Sequence, residues 1–145
     1  MPGGLHLLID ARASLHLSDR EAVVEWMREA ARLMGVTILG VQSHLLPTPL
    51  DSGPGVSAVQ VIAESHLAIH TWPEQGIITA DTYSCIPFNA QAVSDSFAAW
   101  FGVTEFLVWQ TAERWGISEL SEASSLPSSS VARSRKSLEH PPSRA

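Results

Sequence analysis

The chain has 145 residues, 45% of them hydrophobic, which suits one buried core in a single domain. Its formal net charge is -6, and because Arg133, Arg135, Lys136 and Arg144 lie in the last thirteen residues the body is more acidic still, which disfavours nucleic acid and suits a cationic small molecule. Lys136 is the single lysine and sits in a Ser/Pro-rich end, which argues against pyridoxal phosphate, a cofactor that needs a lysine in a packed site.

The first residues, "MPGGLHLLID", have no basic segment leading into a long apolar run, and no window approaches the roughly 18 apolar residues of a membrane span. A soluble, untargeted, cytoplasmic protein is expected. "LHLLIDA" (5–11) reads as a first strand. "SDREAVVEWMREAARLMG" (18–35) reads as an amphipathic helix: Ser18 and Glu21 form a capping box, Val23, Met27, Ala30 and Met34 follow the helical period, and Gly35 ends it. "VTILGVQSHLL" (36–46) is a second, β-branched strand, and "PTPLDSGPG" (47–55) a loop. Strands resume at 56–64, 66–72 and 77–85, with "PEQG" as the turn before the last. Residues 89–102 read as a second helix with Asn89 as N-cap, Val93, Phe97 and Trp100 on one face and Gly102 as stop, and 104–112 as a final strand.

The order β-α-β-β-β-β-α-β predicts an α+β fold, a two-layer sandwich with a mostly antiparallel sheet and two helices on one face. Apolar residues on both strand parities imply that the other face is partly buried in a homodimer. The folded domain is expected over 1–117, and the Ser/Pro/Arg-rich residues 118–145 as a disordered tail.

The densest chemistry lies in "ESHLAIHTWPE", Glu64 to Glu74. His66 and His70 are four apart, a metal-ligand spacing on a helix, but the local alternation is that of a strand and no third ligand cluster accompanies them, so no metal site is expected. A hydrolase triad of Ser65, His70 and Asp81 lacks the G-x-S-x-G elbow. Cys85, the single cysteine, has no disulfide partner and is either a small buried residue or a reactive thiol.

The run Glu64-Ser65-His66-Leu67-Ala68-Ile69-His70-Thr71-Trp72-Pro73-Glu74, followed by Asp81-Thr82-Tyr83-Ser84-Cys85, resembles the signature of the short prokaryotic S-adenosylmethionine decarboxylase proenzymes, ESH-x-x-IHTWPE and then D-x-[FY]-[TS]-C. The likeness extends over roughly residues 4–112 and includes Gly55-Val56-Ser57. It implies a chain that makes its own cofactor. In that family the serine hydroxyl, here Ser65, attacks the carbonyl of the preceding Glu64 and turns the amide into an ester. Loss of the serine α-proton expels the Glu64 carboxylate, and the remaining dehydroalanine hydrolyses to a pyruvoyl group. His70 and Ser57 are implied as aids to this processing.

The same resemblance implies that the pyruvoyl carbonyl condenses with the substrate amine and withdraws electrons from the bond to the leaving carboxylate, a role that fits a chain without a usable lysine. Cys85 matches the family's proton donor, a suitable task for a thiol. Glu74 matches the residue that binds the ribose hydroxyls, and Leu67 and Leu46 fall among the substrate-binding positions. A homodimer of cleaved protomers is implied, with no nucleic-acid or membrane partner. The chain departs from the family in its H-x-F-x-P-x-G-V-S link: the segment from His44 to Gly55 is longer, Leu46 stands where an aromatic residue stacks on adenine, and Asp51 is added. Ile86-Pro87 also replaces the usual glycine after the cysteine. S-adenosylmethionine is the expected substrate. Ornithine or arginine, whose distal cation Asp51 could pair with, is the alternative, and a non-catalytic partner protein is a third reading, opposed by the joint presence of Ser65, His70 and Cys85.

Overall fold

The computed structural model describes residues 3–48 and 51–115. The expected tail lies outside them. Strand β1 (Leu5–Ala13) leads to helix α1 (Arg20–Met34), then come β2 (Thr37–Leu46), β3 (Gly55–Ala63), β4 (Ser65–Trp72), β5 (Ile77–Ser84), helix α2 (Ala90–Phe101) and β6 (Val103–Glu113). The six strands form one sheet in the order β2-β3-β4-β5-β1-β6, and each neighbouring pair is antiparallel. The α+β sandwich expected from the element order is therefore the architecture found. No helix among the described residues is long and apolar enough to cross a membrane.

Alternation along the strands builds the core. Leu7, Ile9 and Ala11 of β1, Val56, Ala58 and Ile62 of β3, Leu67 and Ile69 of β4, and Ile78 and Ala80 of β5 all turn to one face and are buried. The two helices close over that face, α1 with Val23, Trp26, Met27, Ala30 and Met34, and α2 with Val93, Phe97 and Phe101. Trp26 meets Phe97 and Phe101 edge-on, with ring centroids 5.1 and 5.7 Å away, and its indole N–H donates to Ser96 Oγ at 3.2 Å.

The capping box of Ser18 and Glu21 is not formed. Asp19 is the N-cap: its carboxylate accepts from the Ala22 N–H at 3.0 Å, one residue later than the sequence reading placed it. Ser18 is drawn away because its hydroxyl donates to the Ser52 carbonyl at 3.0 Å, pinning the link between β2 and β3 against the start of α1. That link is also tied within itself by Thr48 Oγ1 donating to the Gly53 carbonyl at 3.1 Å. The turn "PEQG" is a single 3-10 turn over Pro73–Gln75, closed by Gly76 in the left-handed region.

The face away from the helices carries Ser57, Val59 and Val61 of β3, His66, His70 and Trp72 of β4, and Asp81 and Tyr83 of β5. Val59 and Val61 are 41% and 50% exposed there, and Ile38, Leu39 and Val41 of the edge strand β2 are exposed too.

Candidate active site

The antiparallel ladder between β3 and β4 decides where the reactive residues stand. Ile62 pairs with Ser65 and Ser57 pairs with His70, so Glu64 lies in the tight turn at the tip of the hairpin, and His70 lies towards its other end. At about 3.3 Å per residue, roughly 16 Å of strand separates the backbone of Ser65 from that of His70. The predicted residues therefore fall into two groups.

The first group surrounds the hairpin tip. Ser65 has φ +111°, a conformation that L-residues other than glycine rarely adopt and that costs about 1–3 kcal/mol. Its hydroxyl oxygen is 3.8 Å from Cys85 Sγ. Cys85 follows β5 directly, and its position is fixed by Ser84, whose buried hydroxyl accepts from the Ile86 N–H at 2.9 Å. The resemblance implies a glycine after the cysteine; here this small turn instead carries the chain from Cys85 into Ile86-Pro87. Cys85 is half-buried, within reach of solvent and of Ser65.

The second group stands at the far end. Ser57 Oγ and His70 Nδ1 are 2.7 Å apart across the ladder. Below them, Thr71 Oγ1 accepts from the Val56 N–H at 2.8 Å and donates to the Leu17 carbonyl at 2.6 Å, which fastens β3, β4 and the chain before α1 at this point. Gly55 completes the junction, since a Cβ there would lie 2.8 Å from the Thr71 carbonyl oxygen. Here Leu46, Gly55, His70, Trp72 and Glu74 line a cavity of about 230 Å³. Glu74 Oε2 is buried without a hydrogen-bond partner among the described residues, an acceptor that suits a ligand hydroxyl or N–H.

The remaining expectations fare unevenly. Leu67, assigned to substrate binding, is 1% exposed and packs in the core beneath the helices, because strand alternation sends it to the face opposite His66. Asp51 is exposed in the link and does not line the Glu74 cavity. The triad of Ser65, His70 and Asp81 is not assembled: His70 pairs with Ser57, whereas Asp81 is bonded to His6 and lies 3.6 Å from His66 Nε2. Among the described residues no group of three or more His, Cys, Asp or Glu could hold a metal ion.

Sequence reasoning passed over Trp72 as a wall of the cavity and Tyr83 as a neighbour of Cys85. Both were open to the same parity argument: Trp72 shares its strand face with His70, and Tyr83 stands two residues before Cys85.

The family model described as S-adenosylmethionine decarboxylase matches residues 5–114. An S-adenosylmethionine decarboxylase proenzyme of Sulfurisphaera tokodaii is 34% identical over 108 residues, which cover 74% of this chain and 77% of that protein. One from Thermodesulfovibrio yellowstonii is 41% identical over 85 residues, covering 57% of this chain and 58% of the relative. The crystal structure of the adenosylmethionine decarboxylase from Aquifex aeolicus superposes with a TM-score of 0.67 at 28% identity, covering 80% of this chain and 93% of that one. Six antiparallel strands backed by two helices, a serine and a cysteine meeting at a hairpin tip, and these matches give one conclusion: the chain belongs to the S-adenosylmethionine decarboxylase family.

Proposed function

We propose that this protein is a self-processing, pyruvoyl-dependent decarboxylase that converts S-adenosylmethionine to its decarboxylated form and carbon dioxide, supplying the aminopropyl donor of polyamine synthesis. The observation that carries the reading is the 3.8 Å approach of Ser65 Oγ to Cys85 Sγ at the hairpin tip, in a chain of this family.

The residues fit the cofactor. Ser65 occupies a strained position in a turn, so converting its amide link to an ester relieves a conformation that the backbone disfavours. A break between Glu64 and Ser65 also leaves β3 and β4 paired along their ladder, and β4 paired with β5, so the cut chain keeps its sheet. Once formed, the pyruvoyl carbonyl would supply an electron sink without a lysine, which suits a chain whose single lysine, Lys136, falls in its Ser/Pro-rich end. Cys85 then delivers a proton to the α-carbon that loses carbon dioxide, from beside the residue that bears the carbonyl.

The second group acts on the same chemistry through a second copy of the chain. Within one chain His70 and Ser57 stand about 16 Å of strand from Ser65, beyond the reach of any side chain. Two copies packed through their helix-free sheet faces about a two-fold axis bring the Ser57, His70 and Glu74 end of one hairpin over the Ser65 and Cys85 end of the other, making two identical sites. The exposed apolar residues of that face, Val59 and Val61 among them, support the same arrangement. Ser57 and His70 then serve as hydrogen-bond partner and base during processing. Glu74 receives the ribose hydroxyls on its unpartnered oxygen, and the cavity beside Leu46 and Trp72 takes the nucleoside.

Substrate identity is tested by release of labelled carbon dioxide from carboxyl-labelled S-adenosylmethionine, ornithine and arginine, assayed in parallel. Release from S-adenosylmethionine alone is expected. Asp51 lies off the Glu74 cavity, so preferential release from ornithine or arginine would overturn the substrate assignment.

A further inference from the structure

Tyr83 stands next to Cys85 on the sheet face away from the helices, and its surroundings are built to hold its hydroxyl there. The Cys85 thiol lies 3.9 Å from the Tyr83 oxygen and donates towards it, and the Trp115 indole N–H donates to the same oxygen at 3.2 Å. The Arg114 guanidinium carbon lies 4.8 Å from the centre of the Tyr83 ring. On the near side, Gly4 leaves the space that the ring occupies: a Cβ there would fall 2.3 Å from Cε2 and 2.7 Å from the hydroxyl oxygen of Tyr83. Gly3 is as tightly placed against the carbonyls of Arg114 and Trp115, at 2.0 and 2.3 Å. The Gly-Gly pair just before β1 is thus explained by the close approach of the segment carrying Arg114 and Trp115 and of the Tyr83 ring.

We propose that Tyr83, seated by Gly4 and Trp115, is a positioning residue for Cys85, and that its hydroxyl stabilises the thiolate formed when Cys85 gives up its proton. This rests on the proton-donor role given to Cys85 above. The proton of the Cys85 S–H passes to carbon, the bonding pair stays on sulfur, and the thiolate regains a proton from solvent. While sulfur carries the charge, the Tyr83 O–H rotates to donate to it. Its oxygen meanwhile accepts from Trp115, which polarises the O–H and strengthens that donation.

The test uses Tyr83→Phe, which removes only the oxygen, and Gly4→Ala, which displaces the ring without altering it. Two readouts are taken on the full-length processed protein: steady-state kinetics with S-adenosylmethionine, and the rate of iodoacetamide alkylation at fixed neutral pH, which reports on Cys85 alone because it is the chain's single cysteine. In Tyr83→Phe, kcat should fall about tenfold with KM unchanged, the scale of a lost hydrogen bond to a charged group. Alkylation should slow about threefold, since a smaller thiolate population is partly offset by a more nucleophilic sulfur. Gly4→Ala should move both readouts in the same direction.

Unchanged alkylation and kcat in Tyr83→Phe would overturn the proposal. So would a rise in KM with kcat and alkylation untouched, which would make Tyr83 a substrate contact instead. Wild-type protein without decarboxylase activity would sink the functional reading rather than this contact, and the alkylation rates would then decide whether Tyr83 governs the thiol.

Discussion

Ser57 and His70 face each other across the β3–β4 ladder with Oγ and Nδ1 2.7 Å apart, at the opposite end of the hairpin from Ser65. If a second copy brings this pair to the processing bond, the defects should complement. Ser65→Ala and His70→Ala should each remain uncut when purified alone. Refolded together, they should form hybrids in which the His70→Ala chain, which keeps Ser65, is cut with help from the intact His70 of the other chain. Cleavage on mixing, read by denaturing electrophoresis, is the expected outcome. A mixture that stays uncut would confine both residues to one chain.

Cys85→Ala should separate processing from turnover. The thiol approaches Ser65 but forms no bond that breaks during chain cleavage, so the variant should still be cut while losing a hundredfold or more of kcat, on the order of a missing general acid. Fragment yield and kcat measured on one preparation check this.

Leu46 lines the cavity proposed to take the nucleoside, and Leu46→Phe should add a stacking surface there. Base stacking on an aromatic side chain contributes about 1–3 kcal/mol, so KM for S-adenosylmethionine should fall about tenfold or more, with processing unaltered. The exposed Trp72 ring on the same cavity limits the gain if it already stacks on the base, and Trp72→Ala should then raise KM.

Trp26 anchors the core between the two helices. Trp26→Ala should cost about 3–5 kcal/mol of unfolding free energy, measured by urea denaturation, because it leaves a large cavity beside Phe97 and Phe101.

The exposed pair Glu29 and Arg32 gives a pH signature of known sign. The hydrogen bond from Arg32 holds the Glu29 carboxyl below its usual value. A depressed carboxylate contributes stability above the ordinary carboxylate range and loses it as pH falls through the folded-state value. The Tm difference between wild type and Glu29→Gln should therefore shrink on acidification, and it should stay small and vanish in high salt because the pair is solvent-exposed.

Much of this molecule was legible in the sequence. The 3.6-residue period of Val23, Met27, Ala30 and Met34 and the alternation of Leu67 and Ile69 gave the helices, the strands and the sandwich. What was not legible is three-dimensional. The cap moved from Ser18 to Asp19 because Ser52, far along the chain, claims the Ser18 hydroxyl. The resemblance makes Leu67 a substrate contact, yet the pleat that aims His66 and His70 outward drives it into the core. The motif names Ser65 and His70 in one eleven-residue run, but only the ladder register reveals that they lie at opposite ends of a strand.

The chain is proposed to cut itself before Ser65 and to use the new end as its cofactor. A denaturing mass spectrum of the purified protein tests it most directly, after borohydride-type reduction in the presence of S-adenosylmethionine. Two fragments are expected, residues 1–64 unmodified and a second beginning at position 65 that carries the reduced substrate adduct at its N-terminus. A single mass for the uncut chain, or decarboxylation surviving in Ser65→Ala, would contradict it.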